Sequence, residues 1–110
     1  MKKIETEMNR AIILHQGWKK DNTEVVIIDN VSLHVKLHGN IIAAKHGNSL
    51  IVSSAGWATR TTSSRLNALV GRFFKVNIKQ GSLVLSKLSK KDFTIVEQKV
   101  LTTDFTPVKY

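Results

Sequence analysis

The chain contains no cysteine. Disulfides and cysteine-ligated zinc sites are therefore excluded, and the absence agrees with a reducing compartment. It has a single proline. No apolar run approaches the roughly 18 to 20 residues that a membrane span needs. The opening "MKKIETEMNRAIILHQGW" carries two lysines as a signal segment does, but Glu5, Glu7, Asn9 and Arg10 interrupt any apolar stretch. The expectation is a mature N-terminus and a cytoplasmic protein.

One sign of charge is also missing over much of the chain. After Asp29 no acidic residue occurs until Asp92. Ten basic residues fill that interval: Lys36, Lys45, Arg60, Arg65, Arg72, Lys75, Lys79, Lys87, Lys90 and Lys91. Chemistry by paired carboxylates lacks material there. Other enzyme signatures are missing too. "SSAGW" is not the Gly-x-Ser-x-Gly nucleophile elbow, and Gly39, Gly47 and Gly56 make neither a dinucleotide fingerprint nor a P-loop. No enzymatic activity, cofactor or metal is expected.

What is present describes one small folded domain. The 110 residues are 42% hydrophobic, with a formal net charge of +9. A body this basic attracts polyanions, either nucleic acid or an acidic protein. The alternative is that the charge merely keeps the protein soluble.

Residues 2 to 16 suit a helix with Ile4, Met8, Ala11 or Ile12, and His15 inward and Glu5, Glu7 and Arg10 outward. "EVVIID" reads as a strand. "VSLHVKLH" alternates, with Val31, Leu33, Val35 and Leu37 on one face and Ser32, His34, Lys36 and His38 on the other. "IIAAKH" and "SLIVSS" continue the strands. The tripeptide His-Gly-Asn occurs twice, at His38 and His46, and reads as two hairpin turns at Gly39-Asn40 and Gly47-Asn48. A metal site is the rival reading. His34 and His38, four apart on a strand, lie roughly 13 Å from each other, too far to chelate one ion.

"TTSSRLNALVGRFF", Thr61 to Phe74, predicts a second helix with Leu66, Leu69, Val70 and Phe73 in one stripe. One of Thr61, Thr62, Ser63 and Ser64 caps its start, with Thr62 or Ser63 preferred. "KVNIK" and "SLVLSK" flank a third hairpin at Gln80-Gly81, and "DFTIVEQKV" is a last strand. The order is helix, four strands, helix, three strands. The expected fold class is α+β: a small antiparallel sheet of hairpins with one or two helices packed on one face. The domain spans residues 1–100, with 101–110 a flexible tail.

The segment around Trp57 holds the most chemistry. A helix start offers unpaired N–H groups and partial positive charge to an anion. Trp57, Arg60, Thr61, Thr62, Ser63, Arg65, Arg72 and Lys75 are the candidate nucleic-acid or partner-binding residues. Arg65 in a first turn opposes the helix dipole, a conflict relieved by a nearby anion or carboxylate partner. Trp57 follows a glycine in a loop. It suits stacking on a base, anchoring an interface or, as the commoner outcome, folding back as a lid on the core.

Three segments carry a resemblance: Trp18-Lys19-Lys20-Asp21-Asn22-Thr23-Glu24-Val25, Leu37-His38-Gly39-Asn40-Ile41-Ile42-Ala43, and Gly56-Trp57 running through Ser64-Arg65-Leu66-Asn67-Ala68. Over roughly residues 8 to 70 the chain resembles a group of short phage-encoded proteins that share "W-x-x-x-NT-x-V", "LHGN-x-IA" and "GW-x-T-x-TT-x-SRLNA" segments. In that group lysine is common where this chain has Ser63. The resemblance implies a phage accessory protein acting inside a host bacterium, and it brings no catalytic residues. The expected function is phosphate-directed nucleic-acid binding without catalysis. The rival is a protein-interaction module that binds or inhibits a host or defence protein.

Overall fold

The computed structural model describes residues 2–71 and 73–108. The chain runs α1 (Lys3–Ile13), β1 (Trp18–Lys20), β2 (Thr23–Ile27), β3 (Ser32–Leu37), β4 (Asn40–His46) and β5 (Ser49–Val52). It continues with α2 (Arg60–Val70), β6 (Phe74–Lys79), β7 (Ser82–Leu88), β8 (Ile95–Leu101) and β9 (Thr106–Val108). The fold is α+β, as the patterning predicts. The strands divide into two antiparallel sheets, a six-stranded one ordered β1-β2-β3-β4-β5-β9 and a three-stranded one ordered β6-β7-β8.

The alternation in β3 sets the large sheet. Leu33, Val35 and Leu37 are buried while Ser32, His34 and Lys36 lie on the other face. Helix α1 lies against β1 and β2, and α2 contacts both β4 and β6. Side chains from both sheets and both helices share one core, including Met8, Val35, Leu66, Val76 and Leu83. Trp18 packs on its margin from β1.

The two His-Gly-Asn copies are used in different frames. In the first, Leu37 pairs with Asn40, so His38 and Gly39 form the turn, with φ of 51° and 78°. Both positive values fit a tight two-residue hairpin. In the second, His46 pairs with Ser49, so Gly47 and Asn48 form the turn and His46 stays in the strand. His38 therefore sits in a turn and not on the wet face of β3. Gln80-Gly81 is a turn of the first kind, with φ of 51° and 76°.

Four other expectations are corrected. Helix α1 ends at Ile13, and His15, with φ of 52°, instead bridges to the Asp29 carbonyl at 2.6 Å. Glu5, expected to face outward, is buried. Helix α2 stops at Gly71, whose φ of 76° breaks the helical path, so Phe73 and Phe74 lie beyond it. Residues 101–108 are not a loose tail: β9 pairs with β5, and Thr106 and Val108 are buried. Pro107 is tolerated because β9 is an edge strand.

Candidate functional site

A hydrogen-bonded loop displays Trp57. The Ser53 hydroxyl lies 3.1 Å from the carbonyls of both Thr102 and Thr103, and Ser54 N–H donates to Thr102 at 3.0 Å. Ala55 and Gly56 turn the chain with φ of 51° and 81°. Trp57 N–H then donates to the Ser54 carbonyl at 2.8 Å. Trp57 is 58% exposed and so is no lid on the core. With Leu37, His38, Ile42, Thr59, Thr61 and Thr62 it lines a cleft of about 350 Å³.

Helix α2 begins earlier than its hydroxyl run suggests. Thr59 is the N-cap: its extended backbone lets Oγ1 accept from Thr62 N–H at 3.1 Å. Arg60 becomes the first helical residue, and Arg65 moves into the second turn. Arg65 is 5% exposed. Its Nε donates to Thr23 Oγ1 and one terminal nitrogen donates to Glu5 Oε2, both at 2.9 Å. Ser64 donates to the same carboxylate oxygen at 2.5 Å. The anion beside Arg65 is thus internal. This arginine, proposed as a surface contact, is withdrawn from solvent.

Burial alone pushes the Glu5 carboxyl pKa up. Hydrogen bonds from Ser64, Arg65 and the Lys2 backbone, with the Arg65 charge, outweigh it and hold the carboxyl below its ordinary value. Beside this pair, Asn67 grips β6. Its amide donates to the Val76 carbonyl at 2.7 Å and its oxygen accepts from Val76 N–H at 2.8 Å. Ser63 donates to the same carbonyl at 2.8 Å.

The eight sequence-derived residues therefore separate. Trp57, Thr61 and Thr62 share the first cleft. Arg60 and Ser63 line a second, open cleft of about 540 Å³ with Glu5, Ser64, Asn67, Ala68, Asn77 and Ile78. Lys75 is exposed on β6, and Arg65 is buried. Arg72 lies outside the described residues. Sequence reading missed Leu37 and Ile42 in the first cleft. It also missed Asn67 and Asn77 in the second. Among these Asn67, one turn after Ser63 on α2, carried a usable signal.

The histidines do not converge on an ion. Register places His46 opposite Ser32, whose hydroxyl lies 2.6 Å from its Nδ1, and His34 opposite Ala44. Among the described residues two ion pairs form, Arg65–Glu5 and Lys20–Glu7. Of the ten cations between Asp29 and Asp92, removing Arg65 and the undescribed Arg72 leaves eight. None of those eight has a carboxylate partner among the described residues. No helix among them is long and apolar enough to cross a membrane.

Comparison with curated proteins and with solved structures gave no match. The model of one family, described as Kyanoviridae Gp96 protein, matches residues 1–106. That span takes in both helices, every strand up to β8 and the start of β9, and it agrees with the phage origin that the sequence resemblance implies. The chain belongs to the Kyanoviridae Gp96 protein family.

Proposed function

We propose that this phage protein binds nucleic acid through phosphate contacts and does no chemistry on it. The observation that carries this reading is the set of eight cations between Asp29 and Asp92 that no carboxylate neutralises among the described residues. Unneutralised lysines and arginines release counterions from a phosphate backbone, which makes such binding strong at low salt and tolerant of sequence. Trp57 adds a stacking surface, and Arg60 stands three residues further on at the start of α2. Arg65 takes no part, because Glu5 already holds it.

The test is a titration of labelled single- and double-stranded DNA at two salt concentrations. Binding that weakens steeply with salt supports the reading, and no binding at low salt ends it. One observation favours a second reading, a protein-interaction module. The Trp57 cleft is lined by Leu37 and Ile42 as well as by hydroxyls, which suits an aromatic anchor in an interface. A stoichiometric protein recovered from nuclease-treated host lysate, and lost with Trp57→Ala, would favour that module.

A further inference from the structure

Two sheets have four edges, and three of them are blunted. Strand β1 has three residues, two of them lysines. Strand β9 has three residues and contains Pro107. Along β6, the outward N–H and carbonyl of Val76 are taken by Asn67 of α2. These are the ordinary ways of preventing strand-to-strand association.

The fourth edge is different. Strand β8 has seven residues and ends its sheet, pairing with β7 alone among the described residues. Six of the seven are exposed. They include Ile95 at 58%, Val96 at 59% and Val100 at 53%. A bulge at Lys87/Leu88 leaves Val96 with no opposite residue on β7. Glu97 and Lys99 have no ion-pair partner within the chain among the described residues.

The sequence of this strand, Ile-Val-Glu-Gln-Lys-Val-Leu, is symmetric in chemical type about Gln98. Two copies laid antiparallel about Gln98 place Glu97 opposite Lys99 of the second copy, and Lys99 opposite Glu97 of the second copy. Val96 then faces Val100, and Ile95 faces Leu101. Parallel pairing in register would set Glu97 against Glu97 and Lys99 against Lys99, which like-charge repulsion opposes. Charge thus favours the antiparallel, Gln98-centred pairing over parallel pairing in register.

We propose that β8 is a self-association surface that joins two copies of this chain as a two-fold dimer through antiparallel β8–β8 pairing. Such an interface is isologous and closes at two copies, because pairing consumes the free edge. The inference does not rest on nucleic-acid binding.

Sedimentation of the full chain over a rising concentration series tests it, and the expected result is a doubling of mass. Glu97→Lys should abolish the dimer, Lys99→Glu likewise, and the double exchange Glu97→Lys with Lys99→Glu should restore it. Thermal melts establish that each variant folds. Should charge reversal impair folding, a cysteine scan decides, since the chain has no native cysteine. Residues facing each other across antiparallel strands lie about 4.5–5.5 Å apart between Cα atoms. That spacing is within disulfide reach. Gln98→Cys should therefore cross-link readily under mild oxidation, while Lys91→Cys should not. Val96→Cys mixed with Val100→Cys should cross-link in preference to either alone. A monomer at every concentration, larger open-ended assemblies, or equal cross-linking at residues 91 and 98 would overturn the proposal.

Discussion

Arg65 and Glu5 stand sixty positions apart in the chain and meet at 2.9 Å in the interior. Each ion is held by further bonds: Thr23 accepts from the guanidinium, and Ser64 donates to the carboxylate. Removing one member leaves the other charged, buried and unpaired. Arg65→Met should therefore cost about 3–5 kcal/mol. The double variant Glu5→Leu with Arg65→Met should cost much less than the two single changes added together. Denaturant melts of the four proteins measure the coupling.

The same pair predicts an acid dependence. The Glu5 carboxyl lies below its ordinary 4.5 in the folded chain, so the unfolded chain takes up the proton first as pH falls. Its contribution is complete above 4.5 and is lost as pH drops through the lower folded value. The stability gap between the wild type and Glu5→Gln should narrow over that acid range, and not on the alkaline side. Melts from neutral pH downward would show the opposite trend if the carboxylate were not favoured by folding.

Asn67 offers a sharper test of how α2 holds β6. Asn67→Ala frees the Val76 N–H and leaves its carbonyl to Ser63 alone, with an expected loss of about 1–3 kcal/mol. Asn67→Asp keeps the acceptor for Val76 N–H but turns the donor into a second acceptor facing the carbonyl. It should recover little of that loss. Hydrogen exchange at the Val76 amide reads the effect locally.

The first hairpin turn should tolerate its histidine but not the loss of its glycine. Gly39 has φ of 78°, and an added Cβ would meet nothing within 4 Å, so the penalty is one of backbone conformation. Gly39→Ala should cost about 1 kcal/mol. His38→Ala, exposed and already at positive φ, should change stability by about 0.5 kcal/mol or less. His38→Asn should stabilise slightly, because Asn-Gly suits this turn. Thermal melts with and without zinc check all three, and no zinc-dependent shift is expected.

For nucleic acid, Trp57→Ala should weaken single-strand binding by about 1–3 kcal/mol if the indole stacks on a base. Arg60→Gln should lower the salt dependence by about one unit of slope, the loss of one phosphate contact. Arg65→Lys is the control, and its effect should appear in the melt rather than in the salt slope. A salt slope unchanged by Arg60→Gln would count against that contact.

The legible parts of this fold were those written in a short period. In β3 one residue in two is apolar, and the hairpin turns carry glycine where φ is positive. The start of α2 was harder, because Thr59, Thr61, Thr62, Ser63 and Ser64 are all chemically able to cap. Thr59 takes the role because its backbone is extended and its Oγ1 accepts from Thr62 N–H. Glu5 reads as outward because a helical wheel gives the direction of a side chain and not what awaits it, here an arginine on α2. The candidate site was named in part. Trp57 and Arg60 lie at the surface. Arg65, of the same residue type as Arg60, is buried in an ion pair with Glu5, and burial alone separates the two. Strand β9 is not legible in the sequence, because three residues containing a proline hold no periodicity.

The pairing of β5 with β9 bears on the order in which the chain folds. Hairpins β2 to β5 are closed by loops of a few residues, so their contacts form at small entropic cost. Val52 meets Thr106, and Glu5 meets Arg65, only after about half the chain has been looped back in each case. Contacts so distant in sequence are slow to form. Pulse-labelling during refolding should find the amides of β3 and β4 protected early. Those of β9 should follow late, together with the closure of α1 against α2. The buried ion pair would then act as a latch on an already assembled sheet rather than as a seed for it.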